Sequence, residues 1–138
     1  MVIDHIGIVV QSLERGIRRW EELFGYRQNS DIVTNIHQKV RVVFLAKRDS
    51  VTIKLLEPSD ASSPVTRFAN KGGGLHHICF RCEDLKHQIS ALKSKGIRLL
   101  VSPQPGEAFC NEDIAFLFAD NNLNIELIDT SQKVGWRG

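Results

Sequence analysis

Residues 3–20, IDHIGIVVQSLERGIRRW, and residues 75–92, LHHICFRCEDLKHQISAL, are one stretch written twice at a spacing of 72. His5 falls on His77, Ile6 on Ile78, Leu13 on Leu85 and Ile17 on Ile89. At the same shift RVVFLAKRDSVTIKLLE, from Arg41, falls on DIAFLFADNNLNIELID, from Asp113, so that Phe44 and Leu45 meet Phe116 and Leu117 while Ile53 and Leu55 meet Ile125 and Leu127. Recurrence of this kind means one supersecondary unit used twice.

Each copy opens with an alternating run that reads as a strand, IDHIGIVV and LHHICFRC. A helix follows. In the first copy Ser12 can cap it, Leu13, Ile17, Trp20 and Phe24 recur at helical spacing, and Gly25 can end it in the left-handed conformation. In the second, Asp84 caps, Leu85, Ile89 and Leu92 form the stripe, and Gly96 ends it. β-branched and aromatic blocks separated by turn signals such as KRDS and ADNN then predict two or three antiparallel strands. The fold class expected is therefore α+β, built from two βαβββ modules. One domain over residues 1–138 is expected, with module one at about 1–60 and module two at about 74–131. A short connecting helix at about 63–71 joins them, capped by Ser63, begun at Pro64 and stopped by Gly72 to Gly74.

Length and composition suit such a domain. A chain of 138 residues can bury most of its apolar surface without staples, and 42% hydrophobic with 25% charged residues is ordinary for a soluble globular protein. The formal charge of +2 is spread along the chain, and its densest basic stretch, KHQISALKSKGIR, is spaced as an exposed helix face. Nucleic acid is thus not an expected partner. No apolar run approaches a membrane span, and MVIDHIGIVV lacks the features of a signal peptide, so a cytoplasmic protein is expected. Cys79, Cys82 and Cys110 are an odd set suited to a reducing compartment, and Cys79 and Cys82 face opposite sides of a strand.

The same alternation sorts the polar residues. Ile6, Ile78, Ile53, Leu55, Ile125 and Leu127 face the helices, leaving His5, Lys54, His77 and Glu126 on the far face at two pairs of repeat-equivalent positions. A pseudo-twofold axis between the halves would bring the four together. Two imidazoles and a carboxylate make a facial set for a divalent ion with open positions for water or substrate, so His5, His77 and Glu126 are candidate metal ligands. Arg81, on the same face, is a candidate for binding a substrate carboxylate or phosphate. His76 falls on the helix side and is expected to be structural. Cys79 shares the cup face with His77, and a small packing residue is the expected reading.

With DHIGIVV near the start, VRVVFL, the block KLLEPSDASSPVTRFANKGGGLHHICF and IELID near the end, the chain resembles the vicinal oxygen chelate superfamily. Its members include glyoxalase I, extradiol dioxygenases, fosfomycin-resistance transferases, bleomycin-binding proteins and methylmalonyl-CoA epimerase, and the quoted blocks are most similar to the epimerase branch. The resemblance implies a cupped eight-stranded mixed sheet with helices on its outer face, a divalent metal held by His5, His77 and Glu126 on the concave face, and a homodimer. In the epimerases the block beginning at Lys54 opens with a Glu or Gln that is a fourth ligand, and a glycine-rich loop stands where this chain has PGEAFCNED.

Three readings of Lys54 stay open: it binds an anionic substrate group or serves as base, it pairs with Glu126 in place of the metal, or it snorkels to the cup mouth. The expected function is that of a metal-dependent isomerase, epimerase or lyase on a small carbonyl compound such as a CoA thioester. Glu126 or Lys54 would be the proton-transfer group, and zinc, manganese, iron, cobalt or nickel would serve as Lewis acid. A small-molecule binder without turnover and an iron-dependent ring-cleaving oxygenase are the alternatives.

Overall fold

The computed structural model describes residues 1–138. The chain runs β1 (Val2–Val9), α1 (Leu13–Phe24), β2 (Arg27–Gln28), β3 (Val33–Asn35), β4 (Val40–Ala46), β5 (Thr52–Pro58), α2 (Thr66–Asn70), β6 (Gly74–Arg81), α3 (Leu85–Ser94), β7 (Arg98–Gly106), a 3₁₀ turn (Glu107–Phe109), β8 (Glu112–Ala119) and β9 (Leu123–Ile128). All strands join one mixed sheet in the order β2-β4-β5-β1-β6-β9-β8-β7, with β3 also on β4. The strands number nine rather than eight because the first module's edge strand is interrupted: β2 and β3 pair antiparallel with opposite ends of β4.

The two halves meet at β1 and β6, which run antiparallel. Ile6 pairs with Ile78, its own repeat mate, so the pseudo-twofold axis passes between these two residues. On either side of it His5 pairs with Cys79 and Gly7 with His77. Parallel pairing then sets Gly7 beside Lys54 and Cys79 beside Glu126, which carries the symmetry one strand further out in each half.

The helices lie where the caps predict. Ser12 accepts from the Arg15 amide and Asp84 from the His87 amide, and Gly25 closes α1 at φ 72°. A second pair of caps comes from the sheet: Glu57 and Asp129, another repeat pair, accept from the amides of Leu13 and Leu85 and fix the helix starts to the ends of β5 and β9. The connecting helix starts later than expected. Ser63 Oγ accepts from the Val65 amide, and α2 begins at Thr66 without a side-chain cap. Gly73 is then required, because a Cβ there would lie 2.1 Å from the Val9 carbonyl oxygen and its φ is 74°.

Three apolar clusters follow from the alternation. Leu13, Ile17, Val43, Leu45, Ile53 and Leu55 bury α1 against the first module, and Leu85, Ile89, Ala115, Leu117 and Leu127 bury α3 against the second. On the concave face Val9, Val42, Phe44, Leu56, Phe109, Ile114 and Ile128 form the third. Each fully buried Leu, Ile or Phe contributes about 1.5–3 kcal/mol, and the third cluster also makes a dry setting for polar groups. No helix is long and apolar enough to cross a membrane.

Candidate active site

The concave face collects His5, Lys54, His77 and Glu126, all buried. His5 Nε2 lies 3.2 Å from His77 Nε2 and 3.0 Å from Glu126 Oε1, and His77 Nε2 lies 3.1 Å from the same oxygen. Three donor atoms in a triangle of this size match one face of an octahedron around an ion at about 2.1 Å from each.

The protonation chemistry agrees. His5 Nδ1 donates to Asp4 Oδ2 at 2.8 Å, a bond that favours the tautomer whose Nε2 lone pair points at His77 and Glu126. Burial pushes the His77 pKa down to about 3, so that ring is neutral. Burial alone would raise Glu126, but foremost the Lys54 charge, together with the two imidazoles beside it, outweighs burial and holds the carboxyl well below its ordinary range. Lone pairs and a carboxylate converging in a dry site need a cation between them, so the donor set fits a divalent ion.

Beneath each imidazole stands the residue before it. The β1–β6 register slips at Asp4 and again at His76, and the two slips are themselves repeat mates. A bulge sets consecutive side chains on one side of the strand. Asp4 thereby reaches His5, and His76 Nδ1 shares a hydrogen bond of 2.7 Å with His77 Nδ1. His76, expected on the helix side, instead lines the cup cavity beside Lys54, because the bulge breaks the alternation on which that expectation rests.

Lys54 does not reach the cup mouth. It is 3% exposed, its Nζ stands 3.8 Å from Glu126 Oε2, and it lies over Phe109 and Phe44 at 5.0 and 5.6 Å from the ring centroids. At that distance, through an effective dielectric near 20, the attraction to the carboxylate is on the order of 4 kcal/mol before desolvation. Arg81 lies away from the cavity. Its guanidinium donates to Asp4 Oδ1 at 3.1 Å, and the side chain remains 40% exposed.

Cys79 is buried in the concave cluster, and burial pushes its thiol well up, which suits a packing residue. The cavity itself, about 70 Å³, is lined by Asn35, Gln38, Lys54, His76, Phe116 and Glu126 among others. That is room for about two waters or a small acyl head. A larger groove of about 500 Å³ runs along Arg81, Asp84 and His87 on the outside and holds none of the converging donors.

Three residues of the site carry no signal that alternation could find. Asp4 is legible only as the polar repeat mate of His76. Phe109 comes from the PGEAFCNED loop and stacks at 6.0 Å on His5. Lys133, beyond the repeat, donates to Asp4 Oδ1 at 3.1 Å and lies over Phe44 at 5.2 Å. The tail that carries it is held by Val134 donating to the Ala108 carbonyl and Arg137 to that of Asn29.

Comparison with known proteins agrees with this architecture. Residues 4–118 match the family model of the glyoxalase/bleomycin resistance protein/dioxygenase superfamily. The Bacillus subtilis protein YqjC is 37% identical over 92% of this chain and 91% of its own. A crystal structure of methylmalonyl-CoA epimerase from Mycobacterium tuberculosis superposes with a TM-score of 0.83 at 30% identity, covering 94% of this chain and 88% of the other. A Streptomyces coelicolor methylmalonyl-CoA epimerase variant in complex with 2-nitronate-propionyl-CoA gives 0.82 at 28% identity, covering 95% and 98%. By sequence and by fold, the chain belongs to the glyoxalase/bleomycin resistance protein/dioxygenase superfamily.

Proposed function

We propose that this protein is a metal-dependent epimerase that exchanges the proton on the carbon beside a thioester carbonyl in a short, branched carboxyacyl-CoA of the methylmalonyl type. The observation that carries the reading is the triangle of His5 Nε2, His77 Nε2 and Glu126 Oε1, of which Glu126 also lines the small cavity. The likeness to methylmalonyl-CoA epimerases supports the choice of substrate class. His5, His77 and Glu126 would hold a divalent ion, which would supply Lewis acidity for a thioester carbonyl.

The chain's own groups do the rest. Glu126 Oε2 is buried with no hydrogen-bond partner, which leaves its lone pairs free to accept the α-proton. The apolar wall of Val40, Leu56, Val65, Ile114 and Phe116 lowers the local dielectric, which strengthens the interactions of Lys54 and Glu126 with charge that develops on the substrate. Asp4, His76 and Phe109 hold the imidazoles in place. In this reading the enzyme works in the cytoplasm as a homodimer.

The test is deuterium uptake at the α-carbon of methylmalonyl-CoA in heavy water, read by mass spectrometry. Protein supplied with cobalt or manganese is expected to incorporate one deuteron per substrate, and chelated protein or the His77→Ala variant is expected to fall at least 100-fold. An absence of exchange with metal-loaded protein across a panel of 2-substituted malonyl-CoA esters would end the proposal.

A further inference from the structure

One cation in the cup has donors without acceptors. Lys54 is almost fully buried, and an ammonium carries three N–H donors whose burial is costly without partners. Its nearest carboxylate oxygen, Glu126 Oε2, is 3.8 Å away, beyond hydrogen-bonding reach, and that oxygen has no other partner either. Its Nζ also lies over the faces of Phe44 and Phe109, which attract the charge but accept no ordinary hydrogen bond. The Lys54 side chain opens instead on the cavity it shares with Asn35, Gln38 and His76. Its repeat mate is Glu126, so where symmetry would set a second carboxylate the chain has the opposite charge.

We propose that Lys54 is an oxyanion-binding residue, which donates a hydrogen bond to the thioester oxygen as that oxygen becomes negative. This deepens the epimerase reading and rests on it. When the α C–H bond breaks, the proton goes to Glu126 Oε2 and the electron pair moves through the carbon skeleton onto the thioester oxygen. An ammonium fixed in a dry cavity favours that charge without reorganising, so part of the enolate stabilisation persists in protein stripped of divalent ion. The same donor could equally serve an anionic oxygen of the substrate that exists before the proton leaves, its free carboxylate, and the two sources separate by experiment.

Calorimetric titration of chelated protein with 2-nitronate-propionyl-CoA, whose α-carbon is already deprotonated, reads enolate affinity. Succinyl-CoA, which keeps a carboxylate and its α-protons, reads ground-state affinity. Wild type is expected to bind the nitronate, Lys54→Met to bind it at least 100-fold more weakly, and Lys54→Arg to recover part of the loss, with succinyl-CoA affinity unchanged throughout. Thermal melts check that both variants fold; Lys54→Gln serves if the Met variant does not. Equal losses for both ligands would make Lys54 a carboxylate anchor and overturn the proposal, as would unchanged nitronate binding in Lys54→Met. If metal-loaded wild type neither exchanges the α-proton nor binds the nitronate, the epimerase reading has failed and takes this one with it. If it does both while Lys54→Met loses nothing, only the role of Lys54 is overturned.

Discussion

Gly7 and His77 face each other across the β1–β6 seam, and the imidazole fills the space that a side chain at position 7 would need. A Cβ placed on Gly7 would lie 2.1 Å from the His77 Cε1 atom, a contact that real structures do not tolerate. Gly7→Ala must therefore move the ring. We expect a loss of roughly 1–3 kcal/mol, the usual range for overpacking, together with loss of the bound ion. In the double variant with His77→Ala the clash is gone, so the combined cost in urea denaturation should fall short of the sum of the single costs. Simple additivity would refute the relationship.

Asp4 is gripped by three cationic or donor groups, His5 at 2.8 Å and Lys133 and Arg81 at 3.1 Å. Its substitution by Asn keeps the shape but removes the charge that orients His5. A carboxylate behind a ligating histidine is typically worth about 10–100-fold in metal affinity, and Asp4→Asn should weaken binding by that factor in a chelator-competition titration. Affinity equal to wild type would sever Asp4 from the site.

Acid should weaken the chelated protein well above the usual carboxylate range. The His77 pKa falls from 6.5 to about 3 on folding because the ring is buried, so between those values the unfolded chain binds a proton that the folded chain does not. Stability is then fully present above about pH 6.5 and declines as pH falls, with an upper bound of about 5 kcal/mol at the low end. Asp4 and Glu126, whose folded pKa values are both depressed, add to the loss as pH drops below the ordinary carboxylate values. Urea midpoints at pH 7.5, 6 and 5 in the presence of chelator check the slope. A His77→Phe variant should flatten it, and a slope that survives the substitution would assign it elsewhere.

The carboxy-terminal tail is part of the site through Lys133. Deleting residues 131–138 removes the Lys133 contact to Asp4 and the backbone bonds of Val134 and Arg137 to Ala108 and Asn29. We expect a lower melting temperature and faster release of the ion, whereas Lys133→Met should speed release with a smaller effect on melting. Truncated protein that melts and holds metal like the full chain would show the tail to be decoration.

What could be read in advance followed from strict periodicity. The repeat and the alternation located both helices, the paired strands and the convergence of His5, His77, Lys54 and Glu126, because all of these depend on side chains pointing alternately from a regular strand. The same rule misplaced His76 and passed over Asp4, since a bulge is a change of register that a repeat of two cannot express. Arg81 obeyed the alternation but lies at the strand end, where Asp4 rather than the cavity is within reach. Lys133 was invisible for a different reason: its position is set by tertiary contacts of a tail with no period of its own.

The pairing of Ile6 with its own repeat mate bears on what a single chain can do. Two free copies of a half-length chain, docked edge to edge along the strand equivalent to β1 and β6, would create the same seam with a true twofold axis and four related positions around it. In such a homodimer positions 54 and 126 would have to hold the same residue. A single chain joined through the segment that contains α2 is free of that identity. An acid on one side and a base on the other is a state that an obligate homodimer of half-chains could never reach.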